Sequence, residues 1–364
     1  MQASKLLYVV LIILLFCQCK TARPKVSLPL SPTASIVGEG FINCFEKDLS
    51  VEGKPLWCEA SAIVYDGSKL LFANDKDMPD KRTSLFYLPL QNGFIDTLQA
   101  PVYSENPVIK YAKKYEDFAI TPDGNYIFLS TGFDRVKEGS TDWDSYNTIL
   151  YWRTSDETHP KVLSINGTDS TSVSLRQKIS KALTSAGFPD GAPYFKIEGL
   201  AVTSNTMYWG VREEGRKYDD FAYKIKILTS PYTIRNGVVE VGEISLLTDF
   251  AISAINPSNE TIAISSIEYD RFNKRFLILT SYENGDQLGG YLWTATLDEL
   301  KQHRMHLVRD VQGKAIDFHH KCEDVAPISK NRVIIIEDDD RVVTKMGNAV
   351  RQPNQAGYSI VEFK

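Results

Sequence analysis

Histidine and cysteine are scarce in this chain, five of each in 364 residues, and neither falls at the close spacing that a structural zinc site needs. The Gly-x-Ser-x-Gly elbow, the Walker loop and the HExxH helix are also missing. Serine hydrolases, P-loop nucleotide binders and zincins therefore lack their local signatures here. The formal charge is −5 and no long Lys/Arg block interrupts the sequence, which removes the electrostatic footprint of a nucleic-acid partner. The one unbroken apolar run, Leu6 to Phe16, is about half the ~20 residues that a transmembrane helix requires. What remains, 43% hydrophobic and 24% charged residues, is an ordinary globular composition with enough apolar material for a large core.

That short run follows Lys5 and ends in Cys17-Gln18-Cys19, so residues 1–19 read as an export signal, and a cysteine placed directly after the run reads as a bacterial lipoprotein signal. Cys17 or Cys19 would carry the lipid. A single acyl chain binds a membrane only marginally, and this anchor is the chain's one route to a membrane. Residues 20–33, with Pro24, Pro29 and Pro32, read as an extended tether, and residues 34–364 as the folded domain. The expected location is the periplasm, the outer membrane or the exterior of a bacterium. Cys44, Cys58 and Cys322 remain beyond the signal, and an oxidising compartment allows one pair and one free thiol, the pairing being open.

One design recurs five times, in segments 59–75 (EASAIVYDGSKLLFAND), 116–134 (EDFAITPDGNYIFLSTGFD), 198–213 (EGLAVTSNTMYWGVRE), 263–283 (AISSIEYDRFNKRFLILTSYE) and 323–340 (EDVAPISKNRVIIIEDDD). Each is a short apolar strand, a polar turn such as Asp66-Gly67 or Asp123-Gly124, and a second strand rich in β-branched and aromatic residues. A further strand follows each hairpin, as in 85–90 (LFYLPL) and 290–296 (GYLWTAT). Repeated antiparallel sheets of this kind are arranged most economically as the blades of a single all-β propeller, of five or six blades. The C-terminal strand near Tyr358 and the early segment from Ser35 to Asn43 are placed to complete one blade together, which removes a free edge. One stretch departs from the β pattern: Val173, Leu175, Ile179, Ala182 and Leu183 fall at helical spacing, with Gly187 as a stop, and predict an inserted amphipathic helix. It either packs as a decoration or covers a ligand mouth.

In a propeller the first strand of each blade lines the central channel, so the glutamates opening four of five repeats, Glu59, Glu116, Glu198 and Glu323, converge on one axis; the fourth repeat has Ala263 instead. Converging carboxylates need protons, basic partners or a cation. Oxygen donors suit hard cations, Ca2+ above all or Mg2+, which makes these four the candidate metal ligands. Arg212, Arg135, Lys76 and Arg341, at the ends of the second strands, are the alternative partners. In that alternative the glutamates are an architectural device between blades. Acids also cluster where the hairpins end: Asp75, Asp77, Asp134, Glu213, Glu214, Glu283 and residues 337–340. Among these, Asp75 and Asp134 occupy equivalent places and join Arg212 as candidate ligand-binding residues. His319 and His320, just before Glu323, are the candidate general bases.

The repeat starts, above all Lys196-Ile197-Glu198 with the following strand, Cys58-Glu59 and Tyr115-Glu116-Asp117, resemble a group of secreted bacterial propellers of unknown function akin to the esterase-like phytase domains. More distantly they resemble gluconolactonase and senescence-marker-protein propellers. The resemblance implies a propeller from about Glu59 to Asp340. It also implies a catalytic divalent metal held by the glutamate of the first blade, here Glu59, and cleavage of phosphate or ester bonds. Two functions follow as expectations: an exported binding or scaffold propeller, monomeric, presenting its face to a small molecule, glycan or protein, or a metal-assisted hydrolase of an ester, lactone or phosphoester.

Overall fold

The computed structural model describes residues 32–137, 139–165 and 169–364. The export signal, Cys17, Cys19 and nearly all of the tether lie outside the described residues.

The described residues form a β-propeller of five blades. Their inner hairpins are Ala60–Tyr65 with Lys69–Asn74, Tyr115–Ile120 with Tyr126–Thr131, Tyr194–Val202 with Thr206–Lys217, Ala263–Asp270 with Arg275–Asn284, and Cys322–Pro327 with Arg332–Glu337. These are the five repeats of the sequence. Each is extended outward, antiparallel, by a third strand: Leu85–Gln91, Ile149–Arg153, Asp220–Arg235, Gln287–Ala295 and Gln355–Phe363. The outermost strand of the fifth blade is Ala34–Asn43, which runs antiparallel to Gln355–Phe363 from Ala34 opposite Phe363 to Asn43 opposite Gln355. The two ends of the domain thus share one sheet. Each inner strand contacts the inner strand of the next blade, and the fifth contacts the first.

Strand alternation sends every second side chain to one face of a blade, so a blade has two apolar faces and must be sandwiched. Five apolar clusters answer this need, one at each junction between neighbouring blades. Ile63, Phe72 and Phe86 meet Ile334, Ile336 and Ile360 where the first blade joins the fifth. The remaining junctions are filled in the same way, for instance by Leu277, Leu279 and Leu292 against Val325, Val333 and Ile335. Five junctions for five blades is the condition of a closed ring, so no divergent sixth blade is needed.

The predicted helix is present as Leu175–Ala182, between the second and third blades. Leu175 and Ile179 are buried in the cluster that joins those blades, and so is Arg176 in its own polar setting. Cys44 and Cys58 form a disulfide and Cys322 is a buried free thiol.

The axis is plugged rather than open. The Asp324 carboxylate on the fifth blade accepts the amide of Ile63 on the first blade (2.7 Å) and the hydroxyl of Ser266 on the fourth (2.7 Å). Asp117 on the second blade accepts the Leu200 amide of the third (2.6 Å). Burial holds both carboxyls above their usual range, Asp324 at about 6. These cross-blade bonds satisfy inner-strand amides that pleated neighbours cannot reach.

Candidate functional site

The opening residues of the inner strands and the ends of the second strands lie at one end of the axis, and there the four glutamates are gathered. Glu59, Glu116, Glu198 and Glu323 are each at most 5% exposed. They are tied together by cations. Lys114 lies 3.2 Å from both Glu116 and Asp134. Lys196 bridges Glu116 (3.4 Å) and Glu198. Arg212 lies 3.2 Å from Glu198 and 3.3 Å from Glu283. Lys321 continues to Glu283 (3.1 Å), Glu323 (3.0 Å) and Asp340 (3.4 Å). A belt of alternating charge therefore runs from the second blade, through the third and fourth, to the fifth.

Three of these cations share a spacing. Lys114-Tyr115-Glu116, Lys196-Ile197-Glu198 and Lys321-Cys322-Glu323 all read Lys-x-Glu. In a strand, residues two apart face the same side, so lysine and glutamate point together into the mouth. For Lys196 and Lys321 the lysine reaches both the glutamate of its own blade and an acid of the blade before. The expected partners were only partly right: Lys76 pairs with Glu59 (2.5 Å) and Arg212 with Glu198, but Arg135 pairs with its neighbour Asp134 (2.8 Å). Arg341 makes no ion pair among the described residues.

Ala263 does not leave the belt open. In the strand pairing Ser265 holds the glutamate register of the fourth blade. The Arg212 guanidinium crosses to this blade, donating to the Ile264 carbonyl (3.2 Å) and the Ser281 hydroxyl (2.9 Å), and Glu283 supplies a negative charge from the second strand. Close packing shapes the belt elsewhere. A Cβ on Gly132 would stand 2.9 Å from the Glu116 Oε1, so glycine leaves the room that this carboxylate occupies.

The belt does break where the fifth blade meets the first. In the strand pairing Ala60 lies where Tyr115, Ile197 and Cys322 lie in their blades, so Glu59 itself occupies the register that Lys114, Lys196 and Lys321 hold elsewhere. Glu59, Asp338 and Asp340 converge there, each with an oxygen within 4.8 Å of the others. Lys76 takes the Glu59 Oε2 and Arg351 takes the Asp338 Oδ1 (3.0 Å), leaving the second oxygen of each. Burial and the neighbouring Asp75 raise Glu59 to about 7 against the pull of Lys76. Burial also lifts Asp338 and Glu323 well above the usual carboxylate range. Glu198 is the contrast: burial opposes its ionisation, yet Arg212 and Lys196 hold it at about 2. Glu116 stays raised because burial outweighs Lys196 and Lys114.

The other candidates separate. Asp75 pairs with Lys76 (3.2 Å) and Asp134 with Arg135 and Lys114, which together hold Asp134 below its usual range despite burial. Asp77 turns to Lys113 (2.7 Å), and Glu214 to Lys226 beneath the third blade. His320 is buried, with its Nδ1 2.7 Å from Asp339. Burial lowers its imidazole, but the bond to Asp339 and the charge of Glu337 outweigh this and raise it. His319, with 80% of its side chain exposed, lies beside Asp317 and makes no contact with the four glutamates.

The belt also borders a cavity of about 780 Å³ between the second and third blades, reached by Lys114 and Lys196 and walled by Trp143, Tyr194, Tyr218 and Phe221. Sequence reasoning missed these aromatics because they sit in loops and strand ends outside the repeat.

No family model matches the sequence, and no curated protein matches it. Solved structures similar to the chain include the α-L-arabinofuranosidase PaAbf62A from Podospora anserina in complex with cellotriose, at 11% identity and a TM-score of 0.41, covering 93% of this chain and 98% of that one. A glycosyl hydrolase from Bacteroides ovatus is similar at 10% identity and a TM-score of 0.39, covering 90% and 94%. The N-terminal domain of Nup159 is similar at 10% identity and a TM-score of 0.29, covering 92% and 98%. At these identities and superpositions the similarity assigns no activity to the chain.

Proposed function

We propose that the protein is an exported, lipid-anchored binding propeller whose charged mouth holds a divalent cation and presents a polar face to a small molecule or glycan. The observation that carries this reading is the break in the charge belt. At the mouth Lys196, Arg212 and Lys321 bridge the second blade to the third, the third to the fourth and the fourth to the fifth; at the junction of the fifth and first blades Glu59 stands in the lysine register and three carboxylates converge. Oxygen donors of this kind suit Ca2+, or Mg2+ with retained water, and a bound cation would take the carboxylate oxygens that Lys76, Arg351 and Lys321 leave open. The disulfide Cys44–Cys58 supports an oxidising compartment, in line with the export signal.

Calorimetric titration of the purified protein with Ca2+ and with Mg2+, alongside elemental analysis, tests the reading. One cation per chain is expected, with binding lost in Glu59→Gln. A protein that contains no metal and takes up neither ion refutes it and leaves an architectural belt.

Metal-assisted hydrolysis of an ester, lactone or phosphoester is a second reading, and one observation favours it. His320 is oriented by Asp339, whose sequence neighbours Asp338 and Asp340 belong to the converging trio. The cation would polarise the bond or the water, and His320 would take the proton. His319, exposed and turned to Asp317, does not share this setting. A screen of aryl esters, lactones and phosphoesters, repeated with His320→Ala, decides it: turnover that the variant abolishes supports the hydrolase, and no turnover by the unaltered protein excludes it.

A further inference from the structure

The cavity between the second and third blades is lined by an arginine, Arg176, that has no ion-pair partner among the described residues. Around it the other cations are accounted for. Lys114 and Lys196 are absorbed by Glu116, Glu198 and Asp134, and Arg135 by Asp134. At the rim, Lys217 pairs with Asp219 (3.0 Å) and Arg216 with Asp220 (3.6 Å). Arg176 is different. It comes from the inserted helix Leu175–Ala182, is only 9% exposed, and has no carboxylate within ion-pair distance among the described residues.

The Arg176 guanidinium is instead held by neutral groups. It donates to the Phe133 carbonyl, to the Asn147 side chain (3.1 Å) and, weakly, to the Pro193 carbonyl (3.4 Å), and it stacks over the Phe195 ring at 4.4 Å. A guanidinium has five N–H donors, so these bonds leave donors unused, the Nε–H among them. Burial lowers Arg176 to about 10, and the charge of Asp134, beyond ion-pair distance, offsets it only in part. Three neutral clamps and a ring fix the position of a charge that makes no ion pair among the described residues. Such an arrangement is pre-organised for a planar anion, which a guanidinium grips through paired donors.

The rest of the cavity describes what carries the anion. Trp143 and Tyr218 are 43% and 74% exposed at its rim, with Phe221 beside them, and flat apolar faces open to water suit the face of a sugar ring. Opposite, Glu213 holds the Tyr194 hydroxyl at 2.5 Å and has its other oxygen available to accept from a sugar hydroxyl. The volume of about 780 Å³ falls within the range of small-ligand sites. We infer that this cavity is a subsite for an acidic sugar, its carboxylate on Arg176 and its ring against the aromatic rim. The inserted helix is then the element that delivers the specificity charge, rather than a decoration of the blade junction. This inference rests on the reading of the mouth as a binding surface, but not on the cation, since the cavity lies between the second and third blades and the carboxylate trio between the fifth and first.

The test is a titration, in EDTA, with three carboxylated sugars: trigalacturonate, a glucuronate-ended disaccharide and N-acetylneuraminate. Each is matched against its methyl ester, which keeps the ring and removes the charge. At least one acid is expected to bind at millimolar concentration or below, and its ester at least tenfold more weakly. Trp143→Ala, an exposed substitution that leaves the fold intact, should weaken acid and ester alike. Arg176→Lys, which keeps the charge but loses the paired donors, should narrow the preference for the acid, with an unaltered Tm of the variant reporting an intact fold. Equal binding of acid and ester overturns the role of Arg176, and failure of all three acids overturns the subsite. Ca2+ binding measured on the same sample reports the cation reading separately, so that the two can fail independently.

Discussion

Lys196 is the position where the charge belt can be tested most directly. Its ammonium is buried between Glu116 and Glu198, and both carboxylates are buried with it. Lys196→Met keeps most of the side-chain volume and removes the charge. Deleting one partner of a buried ion pair costs about 3–5 kcal/mol, because the remaining charge is left without compensation. Unfolding entropy of about 2.1 cal/mol/K per residue, over the roughly 330 residues of the domain, converts this to a fall in Tm of about 4–7 °C. The loss must also depend on pH. Arg212 still neutralises Glu198, so the orphaned charge falls on Glu116, whose carboxyl already lies above its usual value because burial outweighs its lysines. Protonation of Glu116 relieves the penalty, so the deficit is largest at pH 8 and shrinks as the pH falls towards 5. Thermal unfolding of both proteins followed by circular dichroism at the two pH values measures it. A deficit below about 1 kcal/mol, or one of equal size at pH 5 and pH 8, refutes the argument that the lysine is there to hold ionised glutamates.

Three further outcomes follow. The unaltered protein, kept in chelator, should lose stability from pH 5.5 to pH 9, because carboxyls whose folded-state values are raised (Asp324 to about 6, Glu59 to about 7, Glu337 to about 8) stabilise the fold only while protonated; a Tm that is flat or rises across this range contradicts it. Asp324→Ala leaves the Ile63 amide and the Ser266 hydroxyl buried without an acceptor and should cost about 2–5 kcal/mol in urea unfolding, whereas Ser266→Ala alone should cost about 1 kcal/mol. Non-reducing peptide mapping should recover Cys44 and Cys58 linked and Cys322 as a free thiol, and replacing both linked cysteines with serine should lower stability by about 2–4 kcal/mol.

The repeat was legible in the sequence because it is local. Alternating apolar residues, a turn such as Asp66-Gly67 and a second β-branched strand specify a hairpin within about twenty residues, and five such hairpins with a strand after each already imply a ring of sheets. Closure by the strand Ala34–Asn43 was legible too, because an unpaired C-terminal edge calls for a partner. The Lys-x-Glu spacing was also present, since a period of two places both groups on one face, and it would have named Lys114, Lys196 and Lys321.

What the tertiary structure alone decided is every partnership between blades. Which cation reaches which glutamate depends on the angle and distance between neighbouring sheets, and no local period encodes these. Arg135 follows its second strand and Arg212 lies within its own, and one folds back on Asp134 while the other crosses to Glu283 on the fourth blade. The same holds for Asp117 and Asp324, which follow two of the repeated glutamates and turn inward to bond amides of other blades. Glu59 gains its setting only in the closed ring, where the register that holds lysine in three other blades falls beside Asp338 and Asp340. Arg176 is one polar residue of a short helix in the sequence; the packing of that helix between two blades makes it a buried charge facing a cavity. The local pattern determined the blades, and the closing of the ring determined which charges meet.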